Sequence, residues 1–265
     1  MEAFLNTAIL SARAAGALQK QRYGSCFMVS FKGETDLVTE VDRACESLIV
    51  ETIRRHHPGH DILAEENEYD ALDSGFTWIV DPLDGTTNYA HGIPWFCVSI
   101  ALEVDGDVGV GVVYHPMMGQ MFTAVKGEGA FLNGVRLRVS NSESLRSSLL
   151  ATGFPYDRLG NSDNNYDNFI RFQDRARAVR RFGAAALDLA YVASGRFDGF
   201  WQSRLKPWDV AAGALLVKEA GGAVTNYAGE PYNVRDHRIV ASNRHIHDQL
   251  LKVLSIGGDS CKDPS

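Results

Sequence analysis

The stretch Trp78-Ile-Val-Asp-Pro-Leu-Asp-Gly-Thr-Thr-Asn88 places the tightest limits on how this chain can fold. Phe76, Trp78, Ile79 and Val80 form an apolar run of strand-forming residues, which reads as a buried strand. Pro82 should end it, because proline donates no ladder hydrogen bond and fixes its own φ. Asp81 and Asp84 flank that proline, and Gly85, Thr86 and Thr87 follow directly. Carboxylates at a strand end suit hard cations, which take oxygen ligands. A Gly-Thr-Thr turn entering a helix offers N–H groups and hydroxyls to an anion. Metal ligands beside an anion cradle point to metal-assisted phosphate chemistry. The same residues also read as a strand followed by an acidic turn, since Asp-Pro and Asp-Gly are common turn dipeptides.

Length and charge narrow the choice further. A chain of 265 residues, 45% hydrophobic and 22% charged, holds one large or two modest domains with a sizeable core. Its net charge of -7 speaks against a general nucleic-acid or anionic-membrane binder, which needs a basic surface. An acidic protein can still handle phosphate where bound cations invert the local field. Cys26, Cys45, Cys97 and Cys261 are widely spaced with no Cys-x-x-Cys, and read as reduced thiols of a cytoplasmic protein. No signal peptide or membrane span is visible.

Along the chain, residues from Ala3 to Tyr23 read as a helix with Leu5, Ile9, Ala12 and Leu18 inward. An extended stretch follows, with a turn at Lys32-Gly33. Val41, Cys45, Ile49 and Ile53 then recur on one helix face, with Thr39 or Asp42 as its cap. His56, His57 and His60 read as solvated loop histidines. Ile62-Leu63-Ala64 is a short strand ending in Glu65-Glu66, so two acidic strand ends can converge on one site. Strands are predicted over Cys97 to Val104, Val108 to Tyr114 and Gln120 to Val125, with a further hairpin to Val139. A soft boundary divides an N-terminal α+β part (1–145) from a C-terminal α/β part (146–256) and a disordered tail (257–265). In the second part, helices are expected over Asn165 to Val179, Gly183 to Gly195, from Pro207 to Gly221, and over His245 to Leu254. Strands are expected over Leu149 to Thr152, Phe197 to Gln202 and Arg238 to Ser242.

Three acidic stations stand out: Glu65-Glu66, Asp81 with Asp84, and Asp209 at a helix start. With the Trp78 stretch and Trp208-Asp-Val-Ala-Ala-Gly-Ala-Leu-Leu-Val-Lys-Glu-Ala-Gly-Gly222, the chain resembles the inositol monophosphatase family. Asp36-Leu-Val-Thr-x-x-Asp42 and Glu65-Glu66 also match, and the likeness runs from the first helix to about His247. The resemblance implies an αβαβα sandwich of the inositol monophosphatase and fructose-1,6-bisphosphatase type, usually dimeric and lithium-sensitive. It implies Mg²⁺-dependent hydrolysis of myo-inositol 1-phosphate or another small phosphorylated polyol or sugar, such as fructose 1,6-bisphosphate or histidinol phosphate. It places a first Mg²⁺ on Glu65, Asp81 and the Leu83 carbonyl, a second on Asp81, Asp84 and Asp209, and a third, mostly water-bound, near Glu65. Thr86, hydrogen-bonded to Asp42, and Glu65 would orient the attacking water, without a phosphoenzyme. Gly85, Thr86 and Thr87 would grip the phosphate. Gly183, Ala184, Ala185 and Gln202 would meet the alcohol, with Asp84 beside them and Lys32 and Glu66 in support. Inositol-selective members commonly carry glutamate where Gln202 stands; glutamine lacks the charge-assisted bond. Haloacid dehalogenase-type phosphatases space their two aspartates two apart, against three here. No Gly-x-x-x-x-Gly-Lys loop or Gly-x-Ser-x-Gly elbow is present. A regulatory, protein-binding role on the same fold is the other reading.

Overall fold

A computed structural model describes residues 1–25, 29–31 and 37–257. Lys32, Asp36, Cys26, Cys261 and all of the expected tail beyond Gly257 lie outside the described residues. The N-terminal half carries α1 (Glu2–Arg22), β1 (Val29–Phe31), β2 (Leu37–Thr39), α2 (Glu40–His56), β3 (Asp61–Ala64), β4 (Phe76–Asp84) and α3 (Thr86–Ala90). A meander follows: β5 (Cys97–Val104), β6 (Asp107–His115), β7 (Gln120–Val125), β8 (Gly129–Leu132) and β9 (Val135–Arg136). The rest comprises β10 (Leu149–Thr152), α4 (Tyr166–Gln173), β11 (Ala178–Arg180), α5 (Ala185–Ala193) and β12 (Gly199–Ser203). Then come α6 (Pro207–Glu219), β13 (Ala223–Thr225), β14 (Arg238–Ser242) and α7 (His247–Leu254).

Two large sheets alternate with three helical layers, and β1 and β2 pair separately as a two-stranded antiparallel ribbon. The first runs β3-β4-β5-β6-β7-β8-β9, with β3 parallel to β4 and the remaining pairs antiparallel. The second runs β11-β10-β12-β14-β13. Helices α1 and α2 touch the first sheet, α4 and α7 the second, and α5 and α6 touch both. The αβαβα sandwich is therefore the observed architecture. Its central core joins Ile79 and Val113 of the first sheet to Phe200 and Ala241 of the second through Leu187 and Leu216. Burying such side chains is worth about 1.5–3 kcal/mol each, so the two sheets share one apolar interior.

Several elements depart from the sequence reading. The inward face of α1 is the small stripe Ala8, Ala12 and Ala15, while Leu5, Ile9 and Leu18 are only half-buried at its flanks. Small residues let the helix backbone approach the sheet closely, which bulky ones would forbid. Helix α4 stops at Gln173, and Ala178–Arg180 is the edge strand β11, paired with β10. Helix geometry is lost there because the ladder with β10 satisfies those backbone groups instead. The short β13 had no signal in the sequence beyond Ala223-Val224-Thr225. The histidines are not solvated as a group. His57 stacks on His60 and Trp78, His60 stacks on Phe76, and Trp78 Nε1 donates to His60 Nδ1 at 3.1 Å. Their aromatic faces cover the end of β4, and burial lowers the pKa of both His57 and His60.

Candidate active site

Strand pairing brings the acidic stations together. Parallel pairing sets Ala64 opposite Val80, so Glu65 and Asp81 leave adjacent strands at the same level. Strand β4 does not end at Pro82 as expected, but continues to Asp84. Asp81 pairs with Ser99 and Asp84 with Cys97, so β4 spends three steps where β5 spends two. That one extra residue is a β-bulge at Pro82-Leu83, where the missing proline N–H breaks no ladder bond. In a regular strand, residues three apart point to opposite faces. The bulge reverses that parity and turns both carboxylates toward the same side. Gln19 of α1 caps the bulge, donating to the Pro82 carbonyl at 2.7 Å.

The turn after the bulge is equally specified. Gly85 has φ of +96°, and a Cβ there would stand 2.9 Å from the Trp95 carbonyl oxygen. Thr86 directs its hydroxyl between Asp42 Oδ1 at 2.9 Å and the Leu83 carbonyl oxygen at 3.0 Å. Asp42 also accepts from the Thr39 N–H at 2.9 Å and from the Thr39 hydroxyl, so it both caps α2 and reaches the site. Burial raises its pKa against the pull of those hydrogen bonds. Asn88 donates to the carbonyls of Trp95 (2.8 Å) and Phe182 (2.7 Å), tying the turn to the segment that carries Gly183.

Electrostatics single out Asp81. Burial pushes its pKa well above the carboxylate range, and Glu65, Asp84 and Asp209 each push it further. Asp84 is raised to about 7, by burial first and then by Glu65; the Ala186 N–H, donating at 2.8 Å, opposes this. Asp81 also accepts from the Leu83 N–H at 3.0 Å. Asp209 is the third residue of α6, after Pro207, and accepts from the Lys206 N–H at 2.6 Å. The four acids thus share one field. Among the described residues, no group of three or more His, Cys, Asp or Glu side chains stands arranged to hold one ion. The donor set nevertheless fits a hard divalent cation: it is all oxygen, Asp81 and Asp84 are buried, and the four repel one another until a positive charge neutralises them.

A cleft of about 260 Å³ is lined by Glu65, Asp84 and Asp209 together with Gly183, Ala184, Ala185 and Gln202, while Asp81 is buried and does not line it. The amide of Gln202 fills the space that a Cβ on Gly153 would take. The sequence reading missed Asp188, Lys206 and Gly153, which also line the cleft. Of the arginines from Arg171 to Arg181, only Arg181 reaches it. Glu46 was missed as well. Fully buried in α2, it accepts from the Glu66 N–H (2.8 Å), Asn67 Nδ2 (2.7 Å) and the Tyr69 hydroxyl (2.9 Å). It thereby fixes the loop behind Glu65, with the Glu66 N–H as one of its donors. A charged residue at an apolar helix position was the available signal for both Glu46 and Asp188.

An acid-lined cleft at the strand ends of an αβαβα sandwich defines a phosphatase class, and the inositol monophosphatase family profile matches residues 1–257. The chain belongs to that family. It is 44% identical to the inositol-1-monophosphatase of Synechocystis sp. over 96% of this chain and 90% of that protein. It is 45% identical to the Nus factor SuhB of Escherichia coli (strain K12), with 95% of each chain covered. The solved inositol monophosphatase of Anabaena (Nostoc) sp. superposes with a TM-score of 0.88 at 44% identity, covering 96% of both chains. Among the described residues, no helix is long and apolar enough to cross a membrane.

Proposed function

We propose that this protein is a Mg²⁺-dependent phosphatase that hydrolyses a small phosphorylated polyol, myo-inositol 1-phosphate first, to the free alcohol and phosphate. The observation that carries this is that Glu65, Asp84 and Asp209, from three separate chain segments, line one cleft and all act on the buried Asp81. Glu65, Asp81 and the Leu83 carbonyl would hold one ion, and Asp81, Asp84 and Asp209 a second. Bound Mg²⁺ supplies charge for the phosphoryl oxygens and lowers the pKa of water. The chain's own groups do the rest. Thr86, anchored on Asp42, aims the attacking water and Glu65 takes its proton. The N–H groups of Gly85 and Thr86 hold the phosphate, with Thr87 alongside. Gly183, Ala184, Ala185 and Gln202 shape the space for the alcohol. A homodimer belongs to the same reading.

The test is phosphate release from inositol 1-phosphate, fructose 1,6-bisphosphate and histidinol phosphate across a Mg²⁺ titration. Asp81→Asn and Asp209→Asn should each lose about a thousandfold in turnover, since metal charge stabilisation is worth several kcal/mol, while circular dichroism stays unchanged. Near-normal turnover in either variant would overturn the ligand assignment. Preference for another ester keeps the chemistry and moves the substrate. A second reading, a protein-binding role on the same fold, is favoured by the relatives named Nus factor SuhB. Absence of release from all three esters, with or without metal, would select it.

A further inference from the structure

Asp188 is out of character with its helix. Every residue of α5 from Ala185 to Ala193 is buried, and Asp188, 1% exposed, is the charged one among them. Its Oδ1 has no hydrogen-bond partner, yet the side chain lines the cleft with Asp84, Arg181 and Gln202. A buried oxygen left unpaired is destabilising, and more so if charged. Leucine at this position would fit the apolar helix without that cost. A destabilising polar group held against a cleft is where function is expected to offset stability.

The surroundings indicate what the side chain meets at the cleft. Arg181 folds over Gly183, its Nη1 standing 2.8 Å from where a Cβ would lie. Gln202 is pressed against Gly153, so its amide is held in place. This part of the cleft therefore presents fixed donors and acceptors beside Asp84. Such a surface matches a ligand carrying several hydroxyls, because each hydroxyl both donates and accepts.

We propose that Asp188 is a substrate-binding residue whose carboxyl group accepts a hydrogen bond from a hydroxyl of the alcohol portion, so that the cleft prefers polyhydroxylated esters. The inference rests on the phosphatase reading above and names the feature of the substrate that the site selects. An ester without that hydroxyl leaves the carboxyl unpaired, which is how polar sites reject such analogues.

The test compares wild type, Asp188→Asn and Asp188→Leu on inositol 1-phosphate and on phenyl phosphate, whose alcohol carries no further hydroxyl. Mg²⁺ half-activation and melting temperature with and without inositol 1-phosphate are measured alongside. Asp188→Leu should lose at least tenfold more kcat/KM on inositol 1-phosphate than on phenyl phosphate, mainly through KM. Asp188→Asn, which keeps the shape and one acceptor, should fall between. Mg²⁺ half-activation should be alike in the leucine and asparagine variants, which carry the same charge, and melting temperature without ligand should hold or rise for leucine. Equal losses on the two esters, a Mg²⁺ midpoint shifted further by leucine than by asparagine, or no loss on either ester would each overturn the proposal. Should wild type hydrolyse neither ester, the phosphatase reading fails on its own. The ligand-induced melting shift then decides for Asp188: loss of a wild-type shift in the leucine variant supports it, and equal or absent shifts overturn it.

Discussion

His115 shows at the level of one residue how burial sets a pH limit. It is fully buried at the end of β6 beside Trp95 and Phe96, and neither ring nitrogen has a partner. Burial lowers its pKa to about 4, against 6.5 for the ordinary side chain. The folded state thus resists a proton that the unfolded state accepts. Stability is fully present above pH 6.5, falls as pH drops toward 4, and levels off below. The difference corresponds to about 3 kcal/mol. His115→Leu should flatten this acid limb in urea titrations at stepped pH; an unchanged limb would assign it to other groups. The same scale separates what the sequence disclosed from what it hid. Asp81, Asp84, Glu65 and Asp209 were legible because each closes a strand or opens a helix beside a turn signal. Gln202 was placed by its offset from Asp209. Asp188 and Glu46 were passed over, because a charged residue amid apolar helix positions looks the same in sequence whether it is solvated or buried; for Glu46 the donor that decides it, Glu66, lies 20 residues away.

Among elements, β4 departed most instructively from its sequence. Proline read as a terminator is in fact the pivot of a bulge, because β5 supplies a register that local propensity does not contain. The helix-like run beyond Gln173 was misread for a similar reason: β10 recruits Ala178–Arg180 as an edge strand. Strands of the meander were legible to within a residue or two, since turn residues punctuate them and hairpin partners are neighbours in sequence. The buried bulge carbonyl makes Gln19 a critical support. Gln19→Leu should cost about 1–3 kcal/mol through the unpaired Pro82 oxygen. It should also raise the Mg²⁺ concentration needed for half-maximal activity, because the spacing of Asp81 and Asp84 depends on that bulge. Denaturant melts and a Mg²⁺ titration check both. A variant as stable as wild type would mean that the carbonyl finds another donor.

For the whole molecule, the layered order could not be read from periodicity alone, and entered through the resemblance of the two acidic motifs to a known family. Periodicity gives the apolar face of a helix but not which sheet receives it. Helices α5 and α6 are apolar nearly all round, and only the fold shows that this serves two sheets at once. That shared layer bears on turnover. Asp209 and Asp188 ride on helices gripped from both sides, so a clamshell motion of the two sheets would have to tear the common interior apart. Passage in and out of the cleft is left to its rim, the segment 153–165, which carries no helix or strand. Amide hydrogen exchange should find that rim opening far more readily than α6; comparable exchange in both would mean the sheets do hinge. If product escape limits the rate, as it does in many enzymes, the pace of catalysis is set by a strip of irregular chain at the doorway, while the acidic chamber behind it stays still.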